Sequence, residues 1–274
     1  MVKLKKINTV LQDFNLLVNS NKARPFKAGE PLKVGIDLGT SSIVLAVLNQ
    51  KDEPIYGSLI KAEVIRDGLI VNYMETVLLV SEMIKKAEDI LGVELKQAST
   101  AAPSGTGINN RKVFKNVLES ANLEVVKILD EPSAAALCLA IDHGSVVDIG
   151  GGTTGISILK NKQVIATIDE PTGGTHMSLV LAGHYHIPFA EAEQLKLQPQ
   201  NEKMILAIIE PVIAKMAKIS QDFLGKYPAE PVYIVGGASY FQDFGSIFTK
   251  YLGLPVQKPI YPQYVTPLGI AMSS

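Results

Sequence analysis

The spacing of apolar residues changes near residue 30. Before it, Leu4, Ile7, Leu11, Phe14 and Val18 recur at steps of three and four, which predicts one apolar stripe on a short helix. The polar stretch SNKARPFKAGEP (20–31) then reads as a linker. From Lys33 the pattern is mixed. Apolar runs at 34–37, 43–49 and 54–61 predict strands, and VIRDGLIVN (64–72) predicts a hairpin turning at Asp67–Gly68. A helix is expected over 74–91, stopped by Gly92. TAAPSGT (100–106) ends a strand, a helix follows over 111–121, and LEVVKIL (123–129) is another strand. DEPSAAALCLAIDHG (130–144) has an acid and a proline at its start and Gly144 at its end, the punctuation of a helix. Beyond it, strands are expected at 146–149, 156–159 and 164–168. Helices are expected at 177–184, 188–195 and 201–224, the last with Pro211 bending it. VYIVGG (232–237) is a buried strand ending in a glycine pair, and a helix over 241–252, a strand near Val256 and VTPLGIA close the chain.

The pattern also repeats at domain scale. VGIDLGTSSIVLAVL (34–48) and VVDIGGGTTGISIL (146–159) each carry an aspartate near the end of one strand, then glycines and hydroxyls, then a second strand. This predicts two similar α/β halves, 31–144 and 145–274, behind an N-terminal extension of 1–30. The stripe of that extension has two readings. One is a helix packed on the protein's own surface; the other is an amphipathic segment, 4–18, that docks on a partner.

Three consecutive glycines exceed what a hairpin turn needs. Glycine lets backbone N–H groups approach a ligand, and successive N–H groups turned into one concavity bind anions. Each loop is therefore a candidate phosphate cradle, with the hydroxyls of Thr40, Ser41 and Thr153 supplementing the amides. Asp37 and Asp148 beside phosphates would repel them without a cation between, and Mg²⁺ suits one or two carboxylates plus phosphate. Neither loop matches a Walker-type or GxGxxG fingerprint.

Composition narrows the classes. The chain has 274 residues, 47% of them hydrophobic and 19% charged, an ordinary globular balance. A formal net charge of −1 supplies no basic field for nucleic acid. The single cysteine, Cys138, excludes a disulfide framework and a site built from several thiolates in one chain, and it reads as a buried small apolar residue. It also disfavours a radical-enzyme activator whose cluster needs four thiolates from two copies. His184 and His186 lack an evident third ligand and read as surface or helix-end residues. No apolar run approaches the roughly 20 residues of a membrane span. The start of the chain has no secretory h-region, so the cytoplasm is the expected location.

Six stretches taken in order carry a family resemblance: GIDLGTSS (35–42), DEPSAAAL (130–137), VVDIGGGTTGISIL, TGGTH (172–176), VYIVGGASYF (232–241) and PLGIA (267–271). They resemble the two phosphate, two connecting-helix and adenosine motifs of the actin-like ATPases. The nearest branches are the nucleotide-binding domain of DnaK-type chaperones and the bacterial actins. VIRDGLIVN, NVLESANLEV (116–125), TGGTHMSLVLAG (172–183) and EAEQLK (191–196) further resemble the chaperone-like branch of ethanolamine utilization. The implied fold is a pair of ribonuclease H-like α/β lobes around a nucleotide cleft, with a C-terminal helix crossing back toward the first lobe.

The resemblance implies ATP or ADP with Mg²⁺ as cofactors. Asp37 and Asp148 would hold the cation through its waters. Gly39, Thr40, Ser41, Gly150, Gly151, Gly152 and Thr153 would contact phosphates. Glu131 would orient the attacking water, although the residues alone also allow a helix-start role shared with Asp130. Gly173 and Gly174 would approach the nucleotide from the second lobe, and Gly236, Gly237 and Ala238 would lie against the adenosine. Lys215 and Lys218 are weaker adenosine candidates, better read as a solvated helix face.

The function so implied is an ATP-binding, chaperone-like assembly factor that switches between lobe-open and lobe-closed states. Its implied partners are ethanolamine ammonia-lyase or the shell proteins of a bacterial microcompartment, with the microcompartment as a second location. A filament-forming bacterial actin is the structural alternative, and a small-molecule kinase a less favoured one. Two departures point to slow turnover. Gly155 stands where DnaK-type chaperones carry an aspartate, and neither Lys61 nor Lys96 convincingly matches their catalytic lysine. The chain also stops just after PLGIA, without the chaperones' β-sandwich substrate domain, so the resemblance does not extend to ordinary peptide clamping.

Overall fold

A computed structural model describes residues 2–66, 69–104 and 106–274. In chain order the elements begin with α1 (Val2–Ser20), β1 (Lys33–Leu38), β2 (Ser42–Leu48), β3 (Pro54–Lys61), β4 (Ile65–Arg66), β5 (Leu69–Ile70) and α2 (Tyr73–Leu91). Next come β6 (Gln97–Ala102), α3 (Ile108–Ser120), β7 (Glu124–Asp130) and α4 (Glu131–Leu139). The second half holds β8 (Gly144–Ile149), β9 (Thr154–Lys160), β10 (Gln163–Glu170), α5 (Gly174–Tyr185), α6 (Phe189–Lys196) and α7 (Glu202–Leu224). It closes with β11 (Val232–Val235), α8 (Phe244–Leu252), β12 (Val256–Gln257) and α9 (Val265–Met272).

Two five-stranded sheets carry the repeat seen in sequence. Their orders are β3-β2-β1-β6-β7 and β10-β9-β8-β11-β12. In each, three antiparallel strands are extended by two parallel ones, so β1 corresponds to β8, β2 to β9 and β6 to β11. Each sheet has its own apolar core, one with α2 and α3, the other with α5, α7 and α8. A third core fills the space between the sheets and includes residues of α1, α4 and α9.

That central core is built on small residues. α9 packs on β1, β2 and β6 and runs against α4. A Cβ at Gly35 would run into the backbone of Ala271, and one at Gly269 into the carbonyl of Ala134. Backbone-to-backbone approach of this kind needs glycine on one side.

Of the two readings of the N-terminal stripe, the structure has the packed one. Ile7, Leu11, Phe14 and Leu17 are buried, while Leu4 and Val18 are half-buried. Phe14 lies edge-on to Tyr264, 5.1 Å between ring centroids, and above Gly57, where a Cβ would meet its ring at 2.6 Å. Asn8 Oδ1 accepts a hydrogen bond from the Ile260 N–H at 3.1 Å. Each fully buried side chain contributes about 1.5–3 kcal/mol, so peeling α1 away would be costly. The linker is likewise held, with Arg24 paired to Asp13 at 2.8 Å and its N–H bonded to the Ile55 carbonyl.

Most predicted elements form within a few residues of their expected ends, and Gly92 caps α2 in the left-handed conformation as expected. Two boundaries differ. The helix that begins at 131 ends at Leu139, capped by a left-handed Ala140, not by Gly144. Gly144 instead opens β8 at φ 111°, pressed against Pro231, because Ile141 has already turned back into the central core. The helix expected from 241 starts at Phe244: residues 237–239 form a 3₁₀ turn and Phe241 is drawn into the second core. The hairpin turn at Asp67–Gly68 lies outside the described residues, but its flanks pair antiparallel, Ile65 with Ile70. Among the described residues no helix is long and apolar enough to cross a membrane.

Candidate functional site

The β1–β2 and β8–β9 hairpins close in the same way. Gly39 N–H donates to the Ser42 carbonyl and Gly150 N–H to the Thr153 carbonyl, both at 2.9 Å. Asp37 and Asp148 each sit two residues before that turn glycine, paired across the strands with Val44 and Gly155. The two hairpins meet tip to tip. A Cβ on Gly151 would overlap Ser41 Oγ, and one on Gly152 would lie 3.3 Å from Thr40 Cγ2.

The backbone of the second hairpin is turned in a definite direction. The carbonyls of Gly150 and Gly151 accept hydrogen bonds from Gly174 N–H (3.0 Å) and Thr175 N–H (2.8 Å) at the start of α5. A trans peptide sets N–H opposite C=O, so the N–H groups of Gly151 and Gly152 face away from α5. Gly173 and Gly174 therefore approach the hairpin backbone itself, Gly173 so closely that a Cβ would sit 2.6 Å from the Gly150 carbonyl. Gly236, at the end of β11, lies against Asp148 at φ 90°, and a Cβ there would overlap Asp148 Oδ1. Ala238 packs beside Gly174, while Gly237 has ordinary room.

Glu131 and Asp130 divide two roles. Asp130 caps α4, its carboxylate accepting from Ser133 N–H at 2.9 Å and Ser133 Oγ at 2.8 Å. That leaves Glu131 free of capping, and its charge interacts with Asp148, Asp37 and Asp169. Burial, then these neighbours, holds the Glu131 carboxyl well above its ordinary range. Asp37 is pushed up to about 7 by burial and by Asp148. Asp148 is pushed up to about 6, chiefly by burial, with the Thr266 hydroxyl opposing and Asp169 adding to the shift. All three residues are half-buried, so each keeps some contact with solvent.

This donor set fits a hydrated divalent cation. Hard carboxylate oxygens come from equivalent strands of the two lobes, and their charges repel one another across the cleft. No group of three or more His, Cys, Asp or Glu among the described residues is arranged to ligate a metal directly. Two aspartates can still hold a cation that keeps its waters.

Three contributors carried no assigned role in the sequence. Thr266, at the start of α9, donates from Oγ1 to Asp148 Oδ2 at 3.2 Å. Lys196 is 5% exposed, donating from Nζ to the Gly174 carbonyl (3.0 Å), Ser178 Oγ (2.7 Å) and Glu193 (2.9 Å). Tyr240 closes over it, bonding from its hydroxyl to the Lys196 carbonyl. Only the EAEQLK motif hinted at Lys196. Asp169 is the third, with its carboxyl raised by burial and hydrogen bonding from the Thr153 side chain opposing that shift.

The other candidates lie elsewhere. Lys218 is an exposed partner of Asp222, the solvated helix face expected of it. Lys215 is also exposed and edges a shallow apolar groove of about 380 Å³ with Leu179 and Pro211. Lys96 pairs with Glu94 in solvent, whereas Lys61 ends β3 opposite Ser42. His186 is the left-handed cap of α5, and His184 lies edge-on to Tyr185. Cys138 is buried, which pushes its thiol up to about 12. A larger cleft of about 560 Å³ runs along β7 and α4, lined by Arg111, Lys127, Leu137 and Lys162 and by none of the phosphate-loop candidates.

Comparison with known proteins identifies relatives of this fold. The Hsp70 protein family profile matches residues 72–225. The ethanolamine utilization protein EutJ of Salmonella typhimurium is 39% identical over 250 residues, 91% of this chain and 88% of its own. The crystal structure of EutJ from Carboxydothermus hydrogenoformans superposes with a TM-score of 0.95 at 46% identity, covering 99% of both chains. MreB5 of Spiroplasma citri bound to ADP shares the fold, with a TM-score of 0.70 at 19% identity over 86% of this chain and 94% of its own.

Proposed function

The chain belongs to the EutJ family of ethanolamine utilization, within the Hsp70-related actin-like ATPases, and from that premise we propose that it is an ATP-binding, lobe-closing assembly factor. The tip-to-tip meeting of the two hairpins, with Asp37 and Asp148 converging beside Glu131, carries this reading. Gly39, Thr40 and Ser41 from one lobe and Gly150 to Thr153 from the other would hold phosphate oxygens through N–H and hydroxyl groups. Asp37 and Asp148 would hold Mg²⁺ through its waters, and the cation when bound would offset the charge shared by phosphate and carboxylate. Gly236, Gly237 and Ala238 would face the nucleoside, with Lys196 and Glu193 behind Gly174 on the same side.

Glu131 is suited to accept a proton from a water near the phosphate end. Burial and the neighbouring acids raise its pKa, and a carboxylate of raised pKa is a stronger base than a solvated one. Hydrolysis is expected to be slow, with Gly155 in place of an acid on β9 and neither Lys61 nor Lys96 a convincing match for the chaperones' catalytic lysine. Contacts from both lobes to one nucleotide favour the closed state, and a partner sensitive to lobe angle would read it. Ethanolamine ammonia-lyase and microcompartment shell proteins are the proposed partners, in the cytoplasm or at the microcompartment.

Isothermal calorimetry with Mg²⁺ and ATP tests the site. Wild type should bind, and Asp148→Ala should lose at least tenfold in affinity; equal affinities would refute the assignment. Pull-downs of the lyase and shell proteins with and without ATP then test the partner, and nucleotide-independent capture would remove the switch from the proposal.

A further inference from the structure

The residue opposite Gly155 on β10 is an acid. Gly155 on β9 is paired on one side with Asp148 of β8 and on the other with Asp169 of β10. Directly opposed residues on neighbouring strands share a face of the sheet. Asp148, Gly155 and Asp169 therefore form one row across three strands, on the face that carries the candidate site. The nearest atom to a Cβ built on Gly155 is Asp169 Oδ1, at 3.8 Å. The carboxylate of Asp169 thus lies beside the space that a side chain at 155 would enter. It also reaches the Thr153 side chain of the second phosphate loop.

We propose that Asp169 is a positioning residue of the nucleotide site, holding the Thr153 hydroxyl and the outer hydration of the cation from β10 in place of an acid on β9. The inference rests on the nucleotide-site reading above. Its logic is that of a partner outside the coordination sphere: a carboxylate that orients a loop hydroxyl and a metal-bound water sets the cation's affinity without touching it. Chemically, Asp169 carries no proton in the reaction and forms no bond. Glycine at 155 is then a requirement, because an acid there would stand between two carboxylates that already repel each other.

The test relocates the carboxylate. Wild type, Asp169→Asn, Gly155→Asp and the double variant are titrated with Mg²⁺ at fixed fluorescent ATP analogue, and each is melted in EDTA. Asp169→Asn should raise the Mg²⁺ concentration for half-maximal binding by about tenfold. Its EDTA melt should be no lower than wild type, since one of several repelling charges is gone. Gly155→Asp should weaken Mg²⁺ use by crowding, and Asp169→Asn with Gly155→Asp should restore it toward wild type. An unchanged half-saturation in Asp169→Asn, or no recovery in the double variant, would overturn the inference while leaving the nucleotide site standing. If wild type binds no nucleotide, the site reading falls and the inference with it.

Discussion

Replacing Asp37 with Asn should stabilise the protein while disabling its site. In the folded chain the Asp37 carboxyl is raised from an ordinary 3.8 to about 7, by burial and then by Asp148. A shift of about three units at about 1.4 kcal/mol each sets an upper bound near 4 kcal/mol of folded-state cost at neutral pH. Part of that cost comes from Asp148, and the half-buried Asp37 keeps some solvent contact, so roughly half, about 2 kcal/mol, is the expected gain from the substitution. For a chain of this length that is an increase of about 4–8 °C in Tm. The pH dependence has a definite sign. Between about 4 and about 7 the folded chain keeps a proton on Asp37 that the unfolded chain has released. Wild-type stability should therefore fall as pH rises through that window and flatten above it, and Asp37→Asn should lose this part of the slope. Far-UV circular dichroism melts in EDTA at several pH values measure it, a practical choice for a chain without tryptophan. Adding Mg²⁺ and ATP should reverse the ranking by stabilising wild type alone. An Asp37→Asn protein that melts at or below wild type near pH 8 would refute the reasoning.

Three further outcomes follow from the packing. Gly151→Val should place a side chain on Ser41 and hold the hairpins apart, lowering ATP affinity by more than tenfold in calorimetry; wild-type affinity would mean that the loops do not meet in solution. Phe14→Ala should cost about 3–5 kcal/mol in urea unfolding, because it empties a fully buried ring site; a loss under about 0.5 kcal/mol would mean that α1 is not docked. Cys138 should resist an aromatic disulfide reagent at pH about 8 until the protein unfolds, and rapid labelling of the native chain would contradict its burial.

What the sequence disclosed was what is local. Asp37 and Asp148 were legible because strand, glycine and hydroxyl follow one another within a few residues, and the hairpin that results is short-range. Glu131 was legible only through the family resemblance carried by DEPSAAAL, and the Asp130–Ser133 cap shows which acid is left free. Asp169, Thr266 and Lys196 were not, for one reason. Each reaches the site through register or helix packing: Asp169 across from Gly155, Thr266 from the crossing α9, Lys196 from α6 beneath Gly174. The early end of α4 has the same origin, since nothing in CLAIDHG announces that Ile141 will turn into the central core. An amphipathic stripe states that something covers it; Phe14 against Gly57 and Tyr264 shows what.

Where α4 crosses α9 and α9 crosses β1, the contact surfaces are Ala134 against Gly269 and Ala271 against Gly35. Side chains this small leave almost nothing to trim, so mutation at this crossing works almost entirely in one direction. Nearly every available substitution adds bulk and acts as a shim. A graded series at Ala271, whose Cβ faces Gly35, would then push α9 off β1 in steps, as spacers set a hinge. Variants fixed at chosen spacings would separate what a partner recognises in the shape from what it recognises in the nucleotide.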